Sequence, residues 1–190
     1  YIPYLAHELM GYVKPMFGIN RKCIVLDLDN TLWGGIVGED GFDGIELGQT
    51  PNGKAFVEFQ KQLLSLWQQG IILAINSKNN PDDAMKVIRD HPDMILREKH
   101  FASIQINWND KAQNLKQIAA EINIGLNSIV YFDDDKLNQE RIKQEFPEVL
   151  TIEIPNDPSQ YSSILTNLND FHVLQKTEED TKRGEMYAQQ

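Results

Sequence analysis

The sequence has a single cysteine, Cys23, among its 190 residues. One cysteine cannot form a disulfide within the chain, which suits a reducing compartment, and we therefore expect a cytoplasmic location. Cys23 lies inside an apolar run, a context that favours a buried small side chain over a reactive thiol.

The sequence also lacks long apolar runs and clusters of cations. No stretch approaches the ~20 apolar residues that a membrane-spanning helix requires, and no secretory signal peptide is visible. The formal net charge is −10, and no block of lysine and arginine is present to displace counterions from a phosphate backbone. We expect neither nucleic acid nor a membrane as a partner.

The length and the hydrophobic fraction of 41% fit one domain with short extensions. Residues 1–20 are broken by prolines and predict a lead-in segment that packs on the domain. Residues 21–170 predict the domain itself, and 171–190 predict a charged helix that links to a further domain. The chain begins at Tyr1 rather than methionine, and we expect it to be part of a longer, multidomain protein.

Apolar runs that end in polar residues alternate with amphipathic segments along the chain. This pattern predicts strands at 22–30, 71–76, 101–107, 127–135 and 151–155, and helices at 51–70, 81–91, 109–123, 136–146 and 158–170. The glycine-rich stretch 33–50 indicates turns or a short hairpin rather than a helix. Such alternation specifies parallel strands with right-handed crossovers, so the predicted fold class is α/β with a doubly wound parallel sheet. Ligands of these sheets bind beyond the carboxyl ends of the strands.

Carboxylates follow two of the predicted strands. Asp27 and Asp29 stand two positions apart at the end of the first strand, so their side chains point the same way in extended chain. Two such groups repel each other unless a proton or a cation lies between them. Three consecutive aspartates end the fourth strand, at 133–135. Because magnesium is held by one or two carboxylates together with phosphate and water, we predict a Mg2+ site that Asp134 completes.

A lysine and a serine add the groups that a phosphate needs. Lys111 lies in the first turn of a predicted helix, where its ammonium joins the free N–H groups of the helix start. Ser77 adds a hydroxyl at a neighbouring strand end. Taken singly, these residues are typical of a surface and of a turn. Together with the acids they describe a phosphate pocket in which a metal and a lysine neutralise the phosphoryl oxygens while a carboxylate attacks phosphorus in line.

These motifs resemble those of the haloacid dehalogenase superfamily. Asp27-Leu28-Asp29-Asn30-Thr31 matches its first motif, Ser77 the second, Lys111 the third and Asp133-Asp134 the fourth. The longer strings LDLDNTLWGGIVGEDG (26–41), NSKNNP (76–81), INWNDKAQNL (106–115), YFDDDKLNQE (131–140) and the tail FHVLQKTEEDTKRGEMY (171–187) resemble the FkbH-like subfamily. Asn76 and Asp135 depart from the pattern without disturbing the motif positions.

The resemblance implies a magnesium-dependent phosphatase that works through an aspartyl-phosphate intermediate. In this interpretation Asp27 is the nucleophile and a magnesium ligand. Asp29 is the general acid and base and also binds the metal through its backbone carbonyl. Asp134 is the third ligand, with Asp133 beside it in support. The residues assigned to the phosphoryl group are Leu28, Asp29, Thr31, Ser77, Lys78 and Lys111.

The resemblance also implies a substrate, a phosphoglyceryl or similar group carried on an acyl carrier protein. The segments between the motifs are too short for a large cap domain, so we expect a Rossmann-like sheet with a minimal cap or none. An uncapped site stays open to a phosphate on a macromolecule. Trp33 and Trp108 either line the opening or pack as ordinary turn and strand residues.

Two other functions remain open on the sequence. One is a non-hydrolytic phosphate-binding or scaffolding module in a biosynthetic multidomain protein, against which the complete motif set argues. The other is a flavodoxin-like phospho-acceptor domain. Two features argue against the phospho-acceptor domain. The Asp-x-Asp pair lies on one strand, and the lysine precedes the late acidic cluster.

Overall fold

The computed structural model describes residues 21–168 and Phe171. The predicted lead-in segment 1–20 lies outside these residues, and so does the predicted C-terminal helix at 171–190 apart from Phe171. Both stay predictions.

Within residues 21–168, five parallel strands form one sheet. They are β1 Cys23–Leu26, β2 Ile72–Ser77, β3 Phe101–Ile106, β4 Ile129–Asp133 and β5 Leu150–Glu153. Their order across the sheet is β3-β2-β1-β4-β5, and every pairing is parallel. The predicted α/β fold with a doubly wound parallel sheet is confirmed.

The central strand β1 is buried on both faces. Ile24 and Leu26 belong to one apolar cluster, whereas Cys23 and Val25 belong to a second. Alternate residues of a strand point to opposite faces, so the two clusters are the two interfaces of a three-layer structure. This explains why the run is apolar throughout instead of alternating with polar residues.

Six helices of the described chain connect or flank these strands. They are α1 Val37–Asp40, α2 Pro51–Gln68, α3 Pro81–Asp90, α4 Lys111–Glu121, α5 Lys136–Glu145 and α6 Tyr161–Asn167, with 3₁₀ turns at Glu98–His100, Leu126–Ser128 and Pro158–Gln160. Side-chain caps begin four of them, and the caps are Thr50, Asn80, Asp110 and Asp135. Each cap accepts a hydrogen bond from a free N–H of the first turn, so the helix begins immediately after its loop. None of the described helices is long and apolar enough to cross a bilayer.

The glycine-rich stretch after β1 corrects one prediction. Gly34 pairs with Glu46 in an antiparallel bridge, as expected of a hairpin. The expectation of no helix is wrong for Val37–Asp40, a single turn that ends at Gly41 with φ 74°. Positive φ is accessible to glycine without strain, so this residue can end such a short helix. Within 27–71 and 78–100, which are fully described, no separate cap domain is present.

Candidate active site

The parallel register brings the predicted site residues to one edge of the sheet. Leu26, the last residue of β1, pairs with Ile75 on one side and with Phe132 on the other. The next residues along these strands therefore emerge together, and Asp27 N–H donates to the Phe132 carbonyl at 2.9 Å. Ser77 ends β2 and Asp133 ends β4, while Lys111 begins α4.

Lys111 is buried against two carboxylates. Its side chain is 4% exposed, and Nζ donates to Asp27 Oδ2 at 2.5 Å and to Asp133 Oδ2 at 2.6 Å. Burial by itself lowers the pKa of Lys111, but the negative charges of Asp27 and Asp133 outweigh burial and hold the pKa above its usual value. The ammonium is therefore a permanent positive charge between the ends of β1 and β4.

Asp133 is surrounded by hydrogen-bond donors. Its Oδ2 also accepts from Tyr131 Oη at 2.5 Å, and its Oδ1 accepts from the Asp135 N–H at 2.9 Å. Burial and the charge of Asp27 raise the pKa of Asp133, while Lys111 and Tyr131 act in the opposite direction. Tyr131 was missed in the sequence, although its position two residues before Asp133 on one strand places both side chains on the same face.

Three carboxylates converge beside this ion pair. Oxygen atoms of Asp27, Asp133 and Asp134 all lie within 4.8 Å of one another. Desolvation and the charges of Asp27 and Asp133 raise the pKa of Asp134 to about 6, although its side chain is exposed. One ammonium does not neutralise three carboxylates, and the donor set is entirely oxygen. These are the ligands that a hard divalent cation such as magnesium prefers, so the residues fit that ion.

Asp29 lies in a different environment from this carboxylate cluster. Its Oδ1 accepts from Trp33 Nε1 at 2.8 Å and from the Val37 N–H at 3.1 Å, and its Oδ2 accepts from Asn79 Nδ2 at 2.8 Å. The chain turns at Asn30, with φ 53°, and Trp33 pairs with Asp29 in a parallel bridge. Trp33 is fully buried, and the suggestion that it lines the opening is wrong. Trp108 is 73% exposed.

The remaining predicted phosphate-site residues differ in burial. Ser77 is 1% exposed at the end of β2, and Lys78 is exposed. The Leu28 side chain is in the core, while its backbone N–H donates to Asp27 Oδ1 at 2.7 Å. Thr31 is fully buried, and among the described residues its hydroxyl has no hydrogen-bond partner. The Thr31 hydroxyl is therefore enclosed by protein atoms.

A buried amide network links the second and third motifs. Asn76 Nδ2 donates to the Lys111 carbonyl at 2.9 Å, and Asn114 Nδ2 donates to Asn107 Oδ1 at 3.0 Å and to Asn76 Oδ1 at 3.3 Å. Asn76 is wholly buried. It holds the first turn of α4 against the end of β2, and so positions Lys111. The sequence marks Asn76 only as a departure from a pattern, because its partner lies 35 positions away.

The chain is similar to a solved structure, the N-terminal part of the protein BF1531 from Bacteroides fragilis, which contains a phosphatase domain and is complexed with Mg. The TM-score is 0.83, the sequences are 38% identical, and the similarity covers 87% of this chain. This chain spans 44% of the length of that chain. No protein-family model and no curated protein matches the sequence. The likeness confirms the α/β fold.

Proposed function

We propose that this chain is a magnesium-dependent phosphatase of the haloacid dehalogenase type. The observation that carries the proposal is the Lys111 ammonium held between Asp27 and Asp133, with Asp134 completing a group of three carboxylates. The similarity to a phosphatase domain complexed with Mg supports it. The strings that resemble the FkbH-like subfamily support the narrower proposal that the chain belongs to that subfamily.

Asp27 and Asp134 would hold the magnesium ion through their carboxylates, and Asp29 through its backbone carbonyl. The ion would supply positive charge that neutralises the phosphoryl oxygens of the substrate. Asp133 accepts several hydrogen bonds and has the supporting role. Lys111 and Ser77 then bind the phosphoryl group from the protein side.

The proposed reaction has two steps. A carboxylate oxygen of Asp27 attacks phosphorus, the bond from phosphorus to the ester oxygen breaks, and the leaving alcohol takes a proton from Asp29. Water then attacks phosphorus and gives a proton to Asp29. The bond from phosphorus to the Asp27 carboxylate oxygen breaks, so phosphate is released and Asp27 is restored. Trp33, Val37 and Asn79 orient the Asp29 carboxylate through its two oxygens.

The test is release of phosphate from p-nitrophenyl phosphate with and without magnesium. The Asp27→Asn variant keeps the size of the side chain and removes the nucleophile, so we expect turnover to fall at least ~10³-fold, comparable to losses on removing a covalent nucleophile. Asp82→Asn, at an exposed position of α3, is the matched control and keeps its activity. Full activity of Asp27→Asn would show that the nucleophile is assigned wrongly. Tungstate binding without hydrolysis of any phosphomonoester would favour the non-hydrolytic module.

We further propose a phosphoglyceryl or similar group on an acyl carrier protein as the substrate. No cap domain lies within 27–71 or 78–100, so a macromolecule can approach the edge of the sheet. Trp108 and Leu137, which are 73% and 80% exposed, follow the ends of β3 and β4 near that edge. The comparison is between phosphoglyceryl-carrier protein and free phosphomonoesters. An equal or higher kcat/KM on small free sugar phosphates would contradict the carrier-bound substrate without contradicting the phosphatase activity.

A further inference from the structure

A cavity of about 360 Å³ lies beside the carboxylate cluster. Asp134 belongs both to the wall of this cavity and to the group of three carboxylates. The other walls come from the loop after β1, the start of α2 and the segment after β5. A molecule whose phosphate lies at the carboxylate cluster can therefore extend past Asp134 into this space.

The walls of the cavity are held by defined contacts. Tyr161 Oη donates to the Asn30 carbonyl at 2.9 Å, and the Tyr161 ring packs edge-on against Phe56 at 5.6 Å. Gly34 and Glu46 exchange backbone hydrogen bonds of 3.0 and 2.8 Å. A Cβ at Gly34 would lie 2.9 Å from the Phe56 ring, closer than real contacts allow. The absence of a side chain at position 34 therefore lets the wall that carries Glu46 close against Phe56.

The polar groups of the lining define what the cavity accepts. Asn52 and Asn156 offer amides that both donate and accept hydrogen bonds, whereas Asn30 Oδ1 already accepts the Gly35 N–H at 2.9 Å. Two lining residues are acidic, Asp134 and Glu46. When a cation binds Asp134, the negative charge of Glu46 remains, because none of the described lining residues is Lys, Arg or His. Amides suit hydroxyl groups, whereas a second anion in the cavity would face Glu46 without a compensating charge.

We propose that this cavity binds the alcohol portion of the phosphate ester, and that it selects an uncharged, hydroxyl-bearing group over one that carries a carboxylate. The proposal rests on the proposed phosphatase function, and it adds the chemistry of the leaving group. Glu46, Asn52 and Asn156 are specificity-determining residues of the cavity, and they take no part in the bond-breaking step.

The test compares glycerol 3-phosphate with 3-phosphoglycerate, which differ by a carboxylate in place of a hydroxymethyl group. We expect kcat/KM to be about tenfold higher for glycerol 3-phosphate, the size of a repulsion between two charges that water screens, because Glu46 is exposed. Glu46→Gln removes the repulsion with little change of shape, so the ratio of the two kcat/KM values should fall towards one. Equal kcat/KM values for wild type, or an unchanged ratio in Glu46→Gln, overturn the proposal.

The control is Glu58→Gln on α2. Glu58 is exposed and pairs with Lys61 at 2.6 Å, so this variant removes the same charge at a site away from the cavity and should keep the wild-type ratio. Hydrolysis of p-nitrophenyl phosphate separates the two proposals. If the wild-type protein does not hydrolyse this substrate, the proposed phosphatase function is contradicted and the proposed selectivity of the cavity is not. Titration of the two esters into the Asp27→Asn protein with magnesium then tests the cavity without turnover. Equal dissociation constants for glycerol 3-phosphate and 3-phosphoglycerate in this variant would also overturn the proposed selectivity of the cavity.

Discussion

Lys111 and Asp27 form a buried ion pair across 84 positions of sequence, with Nζ at 2.5 Å from Oδ2. The same ammonium reaches Asp133 at 2.6 Å, so one cation holds the ends of β1 and β4 together. Two buried carboxylates next to each other would be costly without it. The pair therefore has a structural role in the metal-free protein and a phosphate-binding role in the proposed reaction.

We predict that Lys111→Met destabilises the metal-free protein by about 3–5 kcal/mol, because it leaves two buried carboxylates without a partner. Phosphatase activity should be lost as well. Magnesium should recover part of the stability, since the ion replaces some of the missing positive charge. The measurement is chemical denaturation with EDTA and with magnesium.

Lys116→Met is the matched control for this variant. Lys116 lies on the same helix and pairs with Glu145 at 3.0 Å, but its side chain is 58% exposed. An exposed ion pair contributes about 0–1 kcal/mol, so a small effect is expected. Similar losses for both lysines would contradict the role of burial.

We predict that magnesium binding weakens below pH 6. Desolvation and the neighbouring charges of Asp27 and Asp133 raise the pKa of Asp134 to about 6, and a neutral carboxyl is a poor ligand. Because a proton competes with the metal, the apparent Kd should rise by up to about tenfold for each pH unit below that value. Calorimetric titration of magnesium between pH 5 and 8 measures this dependence.

The same shift has a consequence for stability. A carboxyl whose pKa is raised in the folded state stabilises the fold below the unfolded-state pKa, and that contribution is lost as pH rises through about 6. Asp134→Asn should therefore stabilise the metal-free protein at pH 7.5 and weaken magnesium binding. Asp135→Asn is the control, since asparagine keeps the cap of α5. If the melting temperature at pH 7.5 rose in Asp135→Asn and did not rise in Asp134→Asn, the destabilising charge would not be that of Asp134.

We predict that Trp33→Phe lowers kcat by about tenfold and leaves magnesium affinity unchanged, since a misoriented proton donor weakens general acid–base catalysis. The indole N–H holds Asp29 Oδ1 at 2.8 Å, and Asp29 lies apart from the carboxylate cluster. Steady-state kinetics and magnesium titration together separate proton transfer from metal binding.

Trp67→Phe controls for the loss of ring area. Trp67 Nε1 is buried without a hydrogen-bond partner among the described residues, so this substitution removes an indole N–H that holds nothing. We expect wild-type kcat. If Trp67→Phe reduced kcat as much as Trp33→Phe, the effect would come from packing and the orientation of Asp29 would have no part in it.

We predict that His100 makes the fold less stable in mild acid. Its Nδ1 accepts the Arg97 N–H at 2.8 Å, and burial, followed by the charges of Lys99 and Arg97, lowers its pKa. The unfolded chain therefore binds a proton at a pH where the folded chain does not. Stability is complete above the unfolded-state pKa of about 6.5 and falls below it, by at most about 1.4 kcal/mol per pH unit.

His100→Asn tests this dependence, because the asparagine Oδ1 can accept the same N–H without titrating. Urea denaturation between pH 5 and 8 should give a flatter stability profile for the variant. Burial also lowers the pKa of His91, so some slope remains. An unchanged profile would show that His100 is not the group responsible.

The helices and strands were predictable wherever local pattern and packing agree. The run at 22–30 is apolar on both faces, and β1 occupies the centre of the sheet. The prediction for 51–70 matches α2 to within two residues, because Thr50 caps its start. In contrast, Val37–Asp40 was missed, since its first turn depends on Asp29 accepting the Val37 N–H, a contact formed only in the folded chain.

The fold class and the strand ends at Asp27, Ser77 and Asp133 follow from the sequence, because periodicity and the order of strands and helices are local properties of the chain. Tertiary structure alone decided which side chains meet. Asn76 on the Lys111 carbonyl and Glu46 on the cavity wall depend on the strand crossovers and on the rotamers that burial selects. Contacts between residues distant in sequence leave no periodic pattern, so the structure was needed to find them.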